Sequence, residues 1–231
     1  AADVAAVVAG TNGGSFTIAV SGAYTFDPGT DFDYLAAGQT TTTQVTYTVS
    51  DGTATDTATV TVTVTGTNDG PIATDNPVSG TENQSLTGNV LSDDNGAGID
   101  SDPDGEPLTV SAINGQASNV GFGVAGSAGG AFNIGSNGSY SFDPGSDFDH
   151  LAIGQTATTQ VVYSVTDGVA TDNAVLSVTV SGTNDAPTAN GSIADQNGVD
   201  GTSVVPLDVS SFFGDVDSGD TILFASSSLP P

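Results

Sequence analysis

The stretch from Gly14 to Pro71 recurs from Gly130 to Pro187 at a constant offset of 116 residues, with 37 of 58 positions identical and no gap. Within it FDPGTDFDYLAAGQT (Phe26 to Thr40) returns as FDPGSDFDHLAIGQT (Phe142 to Thr156), and GTNDGP (Gly66 to Pro71) returns as GTNDAP (Gly182 to Pro187). A duplication of this length without insertions means that one folding unit of ordinary domain size is built twice, with Pro and small polar residues at its joints. The expected division is residues 1–69 as the closing part of one unit, 70–186 as a whole unit, and 187–231 as the opening strands of a third. By the same offset Ala1 aligns with Ala117, so the first unit starts after its opening strands. The absence of methionine implies a larger precursor or a trimmed chain.

Period-two alternation sets the secondary structure. TQVTYTVS (Thr43 to Ser50) and TATVTVTVTG (Thr57 to Gly66) alternate apolar residues with Thr or Ser, which predicts an antiparallel pair with one face wet. SDG at Ser50 to Gly52 and TDG at Thr166 to Gly168 supply the turns between such strands. FTIAV with AYTF, and FNIG with SYSF, add a preceding hairpin in each copy. Short strands, frequent turns and no helical period predict an all-β chain of tandem antiparallel Greek-key β-sandwiches in an elongated array. One helical turn is expected at DFDYL and DFDHL, N-capped by Asp31 and Asp147.

The chain carries 27 acids and no Lys or Arg, a formal net charge of −27, so no surface ion pair offsets the self-repulsion that opposes compaction. Screening ions or bound divalent cations must take that role. Only Glu82 and Glu106 are glutamates; the other acids are aspartates, the shorter side chain favoured in turns and oxygen-rich calcium loops. A basic patch for nucleic acid or for an anionic membrane surface cannot form, and both are excluded as partners. Without cysteine, small domains in an oxidising compartment need another staple, for which a metal is the obvious choice.

With FDPG[TS]DFDxLAxGQT, V[ST]DG and GTNDxP in that order, most of residues 1–186 resembles the VCBS repeats and related cadherin-like domains found in tandem in large bacterial RTX-type adhesins. IADQNGVDGTSV and FFGDVDSGDTILF (Ile193 to Val204, Phe212 to Phe224) resemble the opening of a dystroglycan-type cadherin-like domain. The resemblance implies cadherin/Ig-like sandwiches, a secreted or bacterial cell-surface location, and a spacer between an anchor and a distal binding domain, stiffened by Ca2+ at the joints. The partners it implies are neighbouring domains of the same parent chain or copies of itself end to end, with any glycan or host ligand bound by domains outside this chain.

Calcium takes about six to eight oxygens, which a joint can recruit from two domains and their linker. Carrying over the cadherin pattern, the first joint draws on Asp31 and Asp33, the linker pair Asn68 and Asp69, the DxD acids Asp102 and Asp104, and the late acid Asp167. The second draws on Asp147 and Asp149, Asn184 and Asp185, Asp215 and Asp217, with Glu82 from the unit's first strands. The cadherin linker DxNDN reads Gly66-Thr67-Asn68-Asp69-Gly70 here, so its first Asp and last Asn are missing and a lower affinity is implied. A local EF-hand loop starting at Asp100 fails, because the twelfth position is Ser111 rather than glutamate.

Catalysis finds no support in these residues. His150 is the sole histidine and aligns with Tyr34 in the other copy, and no phosphate loop, zinc motif or nucleophile elbow occurs. The expectation is therefore a non-enzymatic extender. Two alternatives stand beside it: a self-assembling surface filament, since 231 residues is one short of two 116-residue periods, and a carbohydrate-binding accessory module.

Overall fold

The computed structural model describes residues 6–203 and 205–225, so the expected divisions 1–69 and 187–231 extend at their outer ends beyond the described residues. In the first segment β1 (Ala6–Ala9), β2 (Ser15–Ile18) and β3 (Tyr24–Asp27) make an antiparallel sheet. β4 (Thr40–Ser50) and β5 (Thr55–Thr65) pair as an eleven-residue ladder, closed by a turn in which Gly52 takes φ 91°.

The second segment repeats this scheme and adds strands on both sides. β6 (Asn76–Thr81), β7 (Leu86–Asn89) and β8 (Thr109–Ile113) come first. β9 (Val124–Ala125), β10 (Ala131–Ile134), β11 (Ser139–Asp143), β12 (Thr156–Thr166) and β13 (Thr171–Ser181) follow. They form two four-stranded sheets, β7-β11-β10-β9 and β6-β13-β12-β8. Alternation along β12 and β13 turns Val161, Tyr163, Val165, Leu176 and Val178 inward, into one core with Phe132 and Phe142 of the other sheet and Phe148 of the turns after β11. Burying each large apolar side chain is worth about 1.5–3 kcal/mol, which makes this cluster the main source of stability. Phe132 and Phe142 meet in a tilted pair at 4.7 Å, and Phe16 and Phe26 repeat the arrangement at 4.8 Å.

The core has one polar knot. The Tyr163 hydroxyl donates to the Thr74 carbonyl at 2.7 Å and accepts from Asn76 Nδ2 at 2.9 Å, and both Asn76 and Tyr163 are buried. Desolvation, with Asp100 nearby, pushes the phenol far above its ordinary pKa, so it stays a donor at any working pH.

The all-β, largely antiparallel sandwich is as expected, with one refinement and one correction. First, one pairing is parallel: β6 runs alongside β13, Asn76–Thr81 against Leu176–Ser181. The first and last strands of the unit lie side by side and point the same way, so the chain enters at one end and leaves at the other. Secondly, DFDYL and DFDHL form successive turns rather than a helix. Asp31 does not cap its own turn; its Oδ2 accepts the Gly14 amide at 2.7 Å, and Asp147 Oδ2 accepts the Gly130 amide at 2.7 Å. Helical structure among the described residues is limited to the 3-10 turns Ala117–Asn119 and Ser210–Phe212.

The third segment opens with β14 (Thr188–Ala189) against β15 (Phe213–Gly214), with Thr188 opposite Gly214. The same place in the second segment is held by the bridge between Ile72 and Ser101, so the two segments begin alike.

Candidate metal centres at the two joints

Each joint is assembled by one local device. Asp102 Oδ1 accepts the Asp104 amide at 2.9 Å, which curls the DxD loop, and Asp104 Oδ2 then accepts the Asp69 amide of the linker at 2.8 Å. At the second joint Asp215 Oδ1 accepts the Asp217 amide at 3.0 Å and Asp217 Oδ2 accepts the Asp185 amide at 2.8 Å. The linker asparagines match too: Asn68 Nδ2 donates to the Asp69 carbonyl and Asn184 Nδ2 to the Asp185 carbonyl. Asn68 Nδ2 also donates to Asp167 Oδ2 at 2.8 Å, while its Oδ1 is buried without a hydrogen-bond partner.

What is left without a partner is more telling than what is bonded. Among the described residues, the buried side-chain polar atoms with no hydrogen bond are Asn68 Oδ1, Asp102 Oδ2 and Asp104 Oδ1, then Glu82 Oε2 and Asp217 Oδ1. All five are oxygens, three at the first joint and two at the second. Glu82 and Asp217 are 0% and 4% exposed. Leaving a buried acceptor unpaired costs about 1–3 kcal/mol, and such atoms are rare in folded proteins. Their concentration at two equivalent places marks positions where a cation would complete the bonding.

The electrostatics agree. Asp69 is raised above the ordinary carboxylate range, first by desolvation and then by Asp33, Asp104 and Asp102. Asp185 is raised by desolvation and then by Glu82, Asp217, Asp149 and Asp215. Glu106 is raised by desolvation and by Asp104, Asp167 and Asp102. Asp167 is lowered, chiefly by the Asn68 amide and then by the amides of Val169 and Ala170. Like charges are thus held together in a chain with no lysine or arginine to pair with them.

The expected ligands divide accordingly. Asp33, Asn68, Asp69, Asp102, Asp104 and Asp167 are brought together at the first joint, where Asp33 and Asp69 also line one cleft of about 170 Å³. Glu82, Asp149, Asp185, Asp215 and Asp217 are brought together at the second, where Asn184 is exposed beside them. Asp31 and Asp147 brace the glycine loops of their own segments. Glu82 is fixed by Thr183, whose amide and hydroxyl both donate to Oε1, at 2.6 and 2.7 Å. Ser218 donates its amide to the His150 carbonyl at 2.9 Å, a second tie across this joint.

Two acids belong to these groups that motif spacing did not assign. Glu106 joins Asp102, Asp104 and Asp167. Asp220 joins Asp215 and Asp217, with one carboxylate oxygen from each lying within 4.8 Å of the others. The signal was present in DSDPDGE and DVDSGD, where a further acid follows each DxD after a glycine. The donor set at both joints is all oxygen, with several carboxylates, which suits a hard divalent cation of flexible coordination such as calcium.

Residues 68–182 match the family model of the bacterial cadherin-like domain. Residues 1–63 match the bacterial Ig domain. Bacterial cadherin-like and Ig-like domains are typical of extracellular surface proteins and are typically non-enzymatic. No curated protein matches the chain. Similar solved structures include mouse protocadherin-24 EC1-3, at 18% identity over 94% of this chain and 67% of that one, TM-score 0.39. Mouse clustered PcdhgC3 EC1-3 is 14% identical over 88% of this chain and 63% of that one, TM-score 0.41. An endo-fucoidan hydrolase of glycoside hydrolase family 107 is 13% identical over 78% of this chain, TM-score 0.31; the chain spans 23% of that enzyme's length. Among the described residues no helix is long and apolar enough to cross a membrane.

Proposed function

We propose that this chain is a calcium-rigidified extender segment of a bacterial surface adhesin of the VCBS type, holding a distal binding domain away from the cell in adhesion and biofilm formation. The observation that carries the reading is the set of five orphaned, buried oxygens, all at the two joints. Calcium at the first joint would be held by Asp33, Asn68, Asp69, Asp102, Asp104, Glu106 and Asp167, and at the second by Glu82, Asp149, Asp185, Asp215, Asp217 and Asp220, with Asn184 orienting the linker. Asp31 and Asp147 serve the same joints indirectly, by fixing the loops that carry Asp33 and Asp149.

In this reading the joints, at residues 69–70 and 186–187, flex without the ion because their carboxylates repel one another, and lock when it binds. Binding to the folded form alone stabilises by about 2.7 kcal/mol at a hundredfold excess over the dissociation constant. The partners are neighbouring domains of the parent chain. The test is small-angle scattering together with a melting curve, in excess calcium and then in chelator, at fixed high sodium. A rod that loosens and melts earlier on chelation is expected; identical shape and melting in both conditions would sink the proposal.

A further inference from the structure

Among the described residues three carboxylates are buried: Glu82, Asp100 and Asp217. Two of them belong to the second joint, whereas Asp100, 7% exposed, belongs to neither joint's group of ligands. A carboxylate is expensive to bury without a partner, and the chain has no lysine or arginine to offer. Its partners are instead on the segment that leaves the first linker. Asp100 Oδ1 accepts the Thr74 amide at 2.7 Å and lies 3.0 Å from the Thr74 hydroxyl, which is also 3.1 Å from the Gly98 carbonyl oxygen of the same loop. The Tyr163 hydroxyl is 3.4 Å from Asp100 Oδ2 and donates to the Thr74 carbonyl, so both backbone groups of Thr74 are held.

The place of Asp100 in the chain gives these bonds a consequence. It stands two residues before Asp102, and the loop that carries both runs beside the linker. Asp104 Oδ2 holds the Asp69 amide, Ile72 and Ser101 exchange both backbone bonds at 2.7 and 3.0 Å, and Asp100 takes Thr74. From the other side Asp172 Oδ2 accepts the Ala73 amide at 2.9 Å, and Asp75 Oδ1 accepts the Val175 amide at 2.8 Å. The DxD loop is thus stitched to the linker at three successive points, and the last of them reaches Tyr163 in the core. At the second joint the pairing of Thr188 with Gly214 puts Phe213 in the place of Asp100, yet the bridge and the curled DxD loop both form there. Asp100 is therefore not needed to make those features, and its burial calls for another role. Ligands fixed before an ion arrives lose less conformational freedom when it binds.

We propose that Asp100 is a positioning residue for the first joint: through Thr74 it fixes the DxD loop against the linker and the core, so that Asp102 and Asp104 stand preformed for a divalent cation. The inference rests on the calcium reading of that joint and adds to it the residue that sets its affinity.

The test is calcium titration calorimetry of the full chain on a background carrying D217N, which takes a buried carboxylate from the second joint and leaves the first to be read. D100A should weaken binding by about 10–100-fold, the usual effect of losing a group that orients metal ligands. D100N keeps an oxygen for Thr74 and should bind like the background protein. Thr74→Val, which retains the amide bond and gives up only the hydroxyl, should fall between the two and serves as the readout if D100A does not fold. Val178→Ala, a truncation in the same core, should lower the melting temperature in chelator without moving the calcium affinity. Amide exchange at Asp69 and Asp104 in chelator reads the brace without the ion, and should quicken in D100A. Unchanged affinity in D100A and Thr74→Val, or an equal loss in Val178→Ala, overturns the positioning role and leaves the calcium reading standing. Equal losses in D100A and D100N show that the ion needs the Asp100 charge itself, and overturn positioning through Thr74. A background protein that binds no calcium overturns the reading of the joint and this inference with it.

Discussion

Glu82 offers the sharpest test of the metal reading, because its two oxygens have different roles. Oε1 is occupied by the Thr183 amide and hydroxyl, while Oε2 is buried without a partner and adds to the repulsion that raises Asp185. Glu82→Gln keeps an acceptor for Thr183 and replaces the orphaned oxygen by an amide group, with loss of one charge. In chelator the variant exchanges one unpaired polar group for another and relieves repulsion, so its stability should equal or exceed that of the parent. In calcium it lacks a charged ligand, and it should forgo most of the increment of about 2.7 kcal/mol available at a hundredfold excess of ion. A kcal/mol corresponds to about 4 °C in a domain of this size, so the calcium-induced rise in melting temperature should shrink by about 10 °C. Calorimetry of parent and variant, each with calcium and with chelator, reads the difference directly. An equal calcium shift in both proteins would refute the assignment of Glu82 to the ion.

Acidity should couple to calcium. Asp69, Glu106 and Asp185 are raised in the folded state, so the metal-free fold binds more protons than the unfolded chain just above pH 4. The joints of the apo protein should therefore weaken as pH rises through that window, and calcium added there should release protons measurable in weakly buffered solution. Tyr163→Phe removes a hydroxyl bonded to Thr74 and Asn76, but Asn76 Nδ2 still donates to the Thr74 and Val90 carbonyls, so stability should fall by about 0.5–1.5 kcal/mol, the net worth of a lost hydrogen bond, in a denaturant titration. Gly182→Ala puts a Cβ against the backbone oxygen of Leu151, which no rotamer relieves, and should cost at least about 1–3 kcal/mol. Gly168→Ala meets nothing and carries only the strain of φ 103°, about 1–2 kcal/mol, so the pair separates clash from conformation in one melting experiment.

The closing half of the fold was open to reading because β4, β5, β12 and β13 are long and alternate strictly, and because two copies could be laid over each other. The opening strands were not. β6 reads NPVSGT, with a proline and a glycine in six residues, and is held by its parallel neighbour rather than by its own propensity. Among the acids, residue type and spacing could gather the joints but could not separate Asp31 from Asp33. The Gly14 amide makes that choice, and it depends on the loop's left-handed backbone, Gly14 at φ 70°. Glu106 and Asp220 were missed for a similar reason, since the turn that follows each DxD decides where the next carboxylate lands.

The parallel neighbours β6 and β13 bear on what happens when the chain is pulled. β6 leads away from one joint and β13 runs into the next, so traction between the joints drags the two strands along each other in opposite senses. Six residue pairs, from Asn76 with Leu176 to Thr81 with Ser181, then share the load together instead of opening one at a time as a hairpin does when peeled from its end. Rupture under force follows the height of the unfolding barrier rather than equilibrium stability. This unit should hold under shear flow at loads that would strip a peeled ladder of the same length.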